Sequence, residues 1–174
     1  IETEIETKLD YVGSTVKLIR ENLHKNTPLI GFAGSPWTLA CYILGGGGSK
    51  DDFIQVRKWL YTQPDLLILL LERLTENIIN YLTMQIKEGA DAIMLFDSWG
   101  GLLSYLNFPI YSLHYLKKII TRLTVQFLHF ADQLHSRQLR TGAHPFLFKY
   151  KRACWPALIC WFKILSVSSD IPFS

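Results

Sequence analysis

Two short apolar runs, Leu29-Ile30-Gly31-Phe32-Ala33 and Ala92-Ile93-Met94-Leu95-Phe96, constrain this chain more than any other feature. Neither alternates polar with apolar residues, so each reads as a short strand buried in a core, the second of them on both faces. Between them the apolar residues recur at helical period. The clearest stretch opens at Pro64, carries Leu67, Leu70, Leu71, Leu74, Ile78, Leu82 and Ile86 on one side, and meets a left-handed terminator at Gly89. Buried strands separated by helices form parallel sheets, so the expected class is α/β. Periodicity alone allows a doubly wound sheet as readily as part of a (β/α)8 barrel.

The remaining elements follow from the same reasoning. Ile5, Leu9, Val12, Val16, Ile19 and Leu23 fall at 4-3-4-3-4 spacing, one stripe of an amphipathic helix that Thr27-Pro28 stops. Gly34-Ser35-Pro36 turns the chain, and Trp37 to Leu44 suits a short helix. Gly45 to Gly48 with Ser49 reads as a flexible loop. A helix is expected from about Asp52 to Tyr61, capped by Asp51 or Asp52, and another from about Ser112 to Leu123.

Composition excludes several classes. The 174 residues are 49% apolar and 19% charged, an ordinary globular balance, and the net charge of +3 gives no footing for nucleic acid. The densest apolar run, Leu66 to Leu71, ends at Glu72 and Arg73, far short of the ~18 residues a membrane helix needs. The acidic opening IETEIETKLD is not a signal peptide, and a cytoplasmic location is expected. Because the first residue is Ile1 rather than Met, the true start is expected upstream. Cys41, Cys154 and Cys160 form no Cys-x-x-Cys pair, and the five histidines complete no zinc-type ligand set, so neither a structural metal nor a disulfide framework is expected.

Beyond Arg122 the character changes. Residues 123–174 hold six Lys/Arg against two Asp and no Glu, a balance of +4; residues 1–122 hold twelve against thirteen, a balance of −1. Aromatic residues and cysteines crowd into KRACWPALICWFK. This tail reads as a basic helix pair of the same domain, as a membrane-surface or partner-binding tail, or as the product of a shifted reading frame. The last is preferred, because the change is abrupt and coincides with the end of the motifs described next.

The segment from Pro28 to Tyr42, PLIGFAGSPWTLACY, resembles the signature of the uroporphyrinogen decarboxylase family: Gly31-Phe32, then Pro36, Trp37, Thr38, Leu39 and Tyr42. The glycine-rich loop with Ser49-Lys50, Lys58-Trp59-Leu60-Tyr61, Pro64, Tyr81, Gln85, Gly89-Ala90-Asp91-Ala92 and Phe96 to Leu103 follow the same family's spacing. The resemblance covers about residues 1–122, roughly a third of a full family chain. Leu44-Gly45 stand where the family has an acidic residue, and His114 where it has proline.

The resemblance implies a TIM barrel, here a partial one, with its cleft at the C-terminal ends of the strands. It implies an enzyme that uses no cofactor or metal, acts on a tetrapyrrole in the cytoplasm and, at full length, forms a homodimer. It implies substrate-binding roles for Tyr42, Ser98 and Phe32, and assigns no catalytic residue within this chain, since the family's central Asp, its arginines and its His lie in segments without a counterpart here. Asp97 is read as structural. Each residue also has a plainer reading: Tyr42 and Phe32 as core, Ser98 as a turn or cap hydroxyl. A corrinoid-linked methyltransferase of the same barrel superfamily, or a non-enzymatic helical protein that binds a partner through its basic tail, are the alternatives. Two positioning hydroxyls would contribute roughly 0.5–3 kcal/mol each, whereas enzymes lower barriers by about 8–23 kcal/mol, so the isolated chain is expected to be inactive. Open sheet edges are expected to make it poorly soluble.

Overall fold

The computed structural model describes residues 5–46 and 53–126, all within the first of two compact units, Ile1–Gln126; the second, Phe127–Ser174, and with it most of the basic tail, lies outside the described residues. The order is α1 (Ile5–Lys8), α2 (Asp10–Asn22), β1 (Ile30–Gly34), α3 (Pro36–Leu44), α4 (Ile54–Thr62), α5 (Pro64–Lys87), β2 (Ala92–Phe96), a 3-10 turn (Gly100–Leu102) and a helix α6 over residues 108–126. No helix among the described residues is long and apolar enough to cross a membrane.

Both expected strands form and pair in parallel, from Ile30 beside Ala92 to Gly34 beside Phe96. The α/β class holds; among the described residues two strands make the whole sheet, and no barrel closes. Burial corrects the expectation that β2 is enclosed on both faces. In β1, Gly31 and Ala33 are buried while Ile30 and Phe32 are 52% and 58% exposed. The parallel register puts Ile30 and Phe32 on one face with Ala92, Met94 and Phe96, and Phe96 is 45% exposed. Only the opposite face, with Ile93 and Leu95, meets the core around α5. An apolar run therefore signalled a strand correctly, but one of its faces lacks a covering layer among the described residues.

The long helix α5 forms as its pattern predicts. Pro64 opens it, and Leu67, Leu71, Leu74, Ile78 and Leu82 are buried against α3, α4 and the sheet. Gly89 takes φ +112, and Ala90 N–H donates to Gln85 O (2.9 Å) while Gly89 N–H donates to Ile86 O (3.2 Å), a paired closure of the last turn that needs a glycine.

Other boundaries differ. The N-terminal stripe is broken at Leu9 (φ −109, ψ 18), and Gly13 is the buried residue of α2; Leu9, Val12, Val16 and Leu23 are half-buried and Ile19 is exposed. Helix α4 starts at Ile54, and its cap position holds Phe53 in the left-handed region (φ 53), with Asp51 and Asp52 outside the described residues. That backbone costs about 1–3 kcal/mol for a bulky residue, which burying the Phe53 ring, 2% exposed, offsets by a similar amount. Helix α6 begins four residues before Ser112, with a π turn at Pro109–Leu113.

Acidic residues at the two ends of β2 tie the unit together. Before the strand, Asp91 Oδ2 accepts from Arg20 Nη1 (2.7 Å) and from Leu29 N–H (2.9 Å), which joins the end of α2 to the starts of both strands. Lys118 of α6 pairs with Glu72 and Glu76 of α5. The acid after β2, Asp97, belongs to the site.

Candidate functional site

Parallel strands leave polar loops at their C-terminal ends, and here five hydroxyl residues lie on, bond to or pack against the Asp97–Trp99 loop after β2: Ser35, Thr38, Tyr42, Ser98 and Ser112. Three are committed. Ser35 caps α3, its Oγ accepting from Thr38 N–H (3.0 Å) and donating to Asp97 Oδ1 (2.5 Å). Thr38 Oγ1 donates to the same oxygen (3.3 Å) and accepts from Trp99 N–H (3.4 Å). Ser112, turned inward by the π turn, donates to Asp97 Oδ2 (2.5 Å). All three side chains are buried. Trp37, wholly buried on α3, donates its indole N–H to Trp99 O (2.7 Å).

The other two hydroxyls are uncommitted. Tyr42, 40% exposed, sets its ring edge-on against Trp99 (6.3 Å) and Phe53 (5.8 Å), and its hydroxyl has no hydrogen bond among the described residues. Ser98 is exposed and its hydroxyl makes neither a cap nor a turn bond among the described residues. Phe32 sets its ring edge-on against Phe96 at 5.8 Å. Tyr42 thus sits beside the residue after Ser98, and Phe32 beside the residue two before it. The three residues are strung along the end of β2 and its loop, without a ring contact or hydrogen bond to one another. The Trp99 indole N–H is buried without a partner among the described residues.

Two features carry little signal of their own in the sequence. Asp97, expected to be structural, is so as the centre of the hydroxyl cluster. Gln85, noted only for its spacing, pairs its amide with the Phe32 backbone: Oε1 accepts from Phe32 N–H (3.0 Å) and Nε2 donates to Phe32 O (3.1 Å). Leu29 O and Ser35 N–H bond toward β2, so alternation along the strand turns the Phe32 groups to the other edge. The available signal was a polar residue in phase with Ile78 and Leu82 on the buried side of α5.

Burial, and secondarily the negative charge of Asp97, push the Cys41 thiol up from 9.0 to about 12. Cys41, wholly buried, packs as an apolar group of the core. Tyr115 rises from 10.0 to about 12, first by burial and then through Glu72 and Tyr111. Both groups ionise more readily in the unfolded chain, so their contribution to stability is intact below pH 9 and is lost as pH rises from 9 toward 12. The denaturant midpoint is expected to fall across that window. Peptide mass mapping after iodoacetamide at pH 8 should find Cys41 unmodified in the native chain; rapid alkylation there would contradict the burial.

The family described as "Uroporphyrinogen decarboxylase (URO-D)" matches residues 1–141, beyond Arg122, where the motifs quoted above end. Among similar proteins, the uroporphyrinogen decarboxylase of Proteus mirabilis is 49% identical over 115 residues, 66% of this chain and 32% of the relative. That of Hahella chejuensis is 48% identical over 120 residues, 69% of this chain and 33% of the relative. That of Vesicomyosocius okutanii is 43% identical over 137 residues, 79% and 39%. The chain spans about a third of the length of the curated relatives it matches.

Proposed function

Because the chain belongs to the uroporphyrinogen decarboxylase family, we propose that its described unit forms one wall of a uroporphyrinogen-binding cleft, inside a longer (β/α)8 enzyme that converts uroporphyrinogen III to coproporphyrinogen III. The observation that carries this is the division of labour among the five hydroxyls. Ser35, Thr38 and Ser112 are used up by Asp97, while Tyr42 and Ser98 are exposed and have no hydrogen-bond partner among the described residues, which leaves them to donate to a ligand carboxylate. Phe32, on the bare apolar face with Ile30 and Phe96, offers surface to a pyrrole ring. In a barrel that face is the interior.

The chemistry asks for holding and for charge. Protonation of a pyrrole carbon makes a cation that takes up the electron pair of the breaking C–C bond as CO2 leaves; the side-chain carbon then gains a proton and the ring loses one. Tyr42 and Ser98 orient carboxylates for this sequence, and Asp97, engaged by three hydroxyls, holds the loop that carries Ser98. Their bonds, roughly 1.5–3 kcal/mol each to a charged partner, fall far short of the roughly 8–23 kcal/mol an enzyme removes. Acid–base groups from beyond this unit complete the site, in a cytoplasmic homodimer that needs neither metal nor organic cofactor.

Uroporphyrin, the air-stable octacarboxylate, tests the wall without turnover. Titrated into the chain and followed by tryptophan quenching, it is expected to bind. Ser98→Ala and Tyr42→Phe should each weaken it by about 3–30-fold, the equivalent of roughly 0.7–2 kcal/mol. No binding, or affinity indifferent to both substitutions, would remove the reading. The chain alone is expected to form no coproporphyrinogen from uroporphyrinogen.

A further inference from the structure

Ser98 lies between two residues that are held from several directions. Asp97 receives Ser35 and Thr38 on Oδ1 and Ser112 on Oδ2. Trp99 is held at its N–H by Thr38 and at its carbonyl by Trp37. Thr38 therefore joins the carboxylate to the backbone just past Ser98. It also stands one helical turn before Tyr42 on α3, whose ring rests on Trp99. The cap of α3, its first turn and the π turn of α6 thus meet on one acid.

An ionised carboxylate suits this place chemically because it only accepts, and three hydroxyls arrive as donors. The chain of bonds is directional: Trp99 N–H to Thr38 Oγ1 to Asp97, and Thr38 N–H to Ser35 Oγ to Asp97. Reversing one member leaves a buried hydroxyl with nothing to donate to. Both oxygens are engaged by buried donors, while Tyr42 and Ser98 nearby are exposed.

We infer that Asp97 is a positioning residue that fixes the Ser98 hydroxyl relative to Tyr42 without itself touching the tetrapyrrole. This rests on the reading of Tyr42 and Ser98 given above. It assigns a role to the acid that neither its exposure nor its sequence context suggested, and it predicts that the acid acts only through its neighbour.

The test uses the whole 174-residue chain. Uroporphyrin affinity is measured for Asp97→Asn alone and in a Ser98→Ala background, and hydrogen exchange at the Trp99 amide is followed without ligand. Asp97→Asn is expected to weaken uroporphyrin about tenfold and to speed Trp99 exchange about tenfold or more. With Ser98 already alanine, the further loss of affinity should be under about twofold, because the two positions act on one contact. Thr38→Val keeps the side-chain shape and cuts only the link from the carboxylate to Trp99. It is expected to show the same two effects at smaller amplitude, and it decides the matter if Asp97→Asn does not fold. Equal losses with and without Ser98 would overturn the inference, as would unchanged Trp99 exchange in both variants. If the unsubstituted chain fails to bind uroporphyrin, the reading of the site falls separately. Trp99 exchange then decides alone: faster exchange keeps Asp97 as the brace of the loop, and unchanged exchange removes it.

Discussion

Replacing Trp37 with alanine is expected to destabilise the described unit by about 3–5 kcal/mol, the range for truncating a fully buried large aromatic. Trp37 has no exposed surface and sits in the first turn of α3, between the sheet end and the core around α5. Two losses combine. The cavity left by the indole removes contacts that the surrounding leucines and isoleucines cannot fully remake. The Trp99 carbonyl, to which the indole N–H donates at 2.7 Å, loses its partner. Trp37→Phe separates these: it keeps most of the volume and forfeits the hydrogen bond, so about 1–3 kcal/mol is expected. Urea unfolding followed by circular dichroism and by fluorescence would measure both. A Trp37→Ala variant within about 1 kcal/mol of the parent would mean the indole is not a keystone of this core. Because Trp99 neighbours Ser98, the phenylalanine variant should also loosen uroporphyrin binding while leaving most of the stability in place.

What could be read from the sequence were features with a local cause. Pro64 at the start of α5 and Gly89 at its end each act through their own backbone, so their positions are legible in the sequence itself. The two strands were legible because an apolar run of that length between helices has few other uses, and their parallel pairing followed from the intervening helices. Tyr42, Ser98 and Phe32 are proposed as site residues through a motif that specifies residue types in order; periodicity alone leaves all three as core or turn. The features that escaped depend on groups far apart in the chain. Asp97 looked ordinary because Ser35, Thr38 and Ser112 come from other elements, one of them carried by a π turn that no hydrophobic period announces. Phe53 in a left-handed conformation contradicts local preference, and tertiary burial of its ring against Trp99 at 4.7 Å is what sustains it. The face of β2 left without a covering layer among the described residues escaped for a related reason: an apolar pattern states what a strand can bury, not what is there to cover it.

Gly31→Val is expected to cost about 2–6 kcal/mol, and it links the fold to the candidate wall more directly than any other single change. The β1 backbone runs so close to α5 that a Cβ at position 31 would lie 2.6 Å from Gln85 Oε1, 2.9 Å from Ile93 Cδ1 and 3.2 Å from the Ala90 Cβ. The Ile93 methyl can swing away. The Ala90 Cβ moves only with its backbone, and Gln85 can retreat only by releasing Phe32, whose N–H and C=O it holds at 3.0 and 3.1 Å. Overpacking of this kind costs about 1–3 kcal/mol, and each lost hydrogen bond adds roughly 0.5–1.5 kcal/mol. Gly31→Ala should show the smaller part of this. Shortening the obstacle provides the check: in a Gln85→Ala background, Gly31→Ala should cost at least about 1 kcal/mol less than in the parent, since the oxygen it meets is gone. Strict additivity of the two substitutions would show that the close approach is not what demands glycine. The same cycle read by uroporphyrin affinity separates packing from placement. Gln85→Ala removes both bonds to Phe32 without crowding the sheet, so a loss of affinity there, at modest cost in stability, is the signature of a ring held in position by the helix behind it.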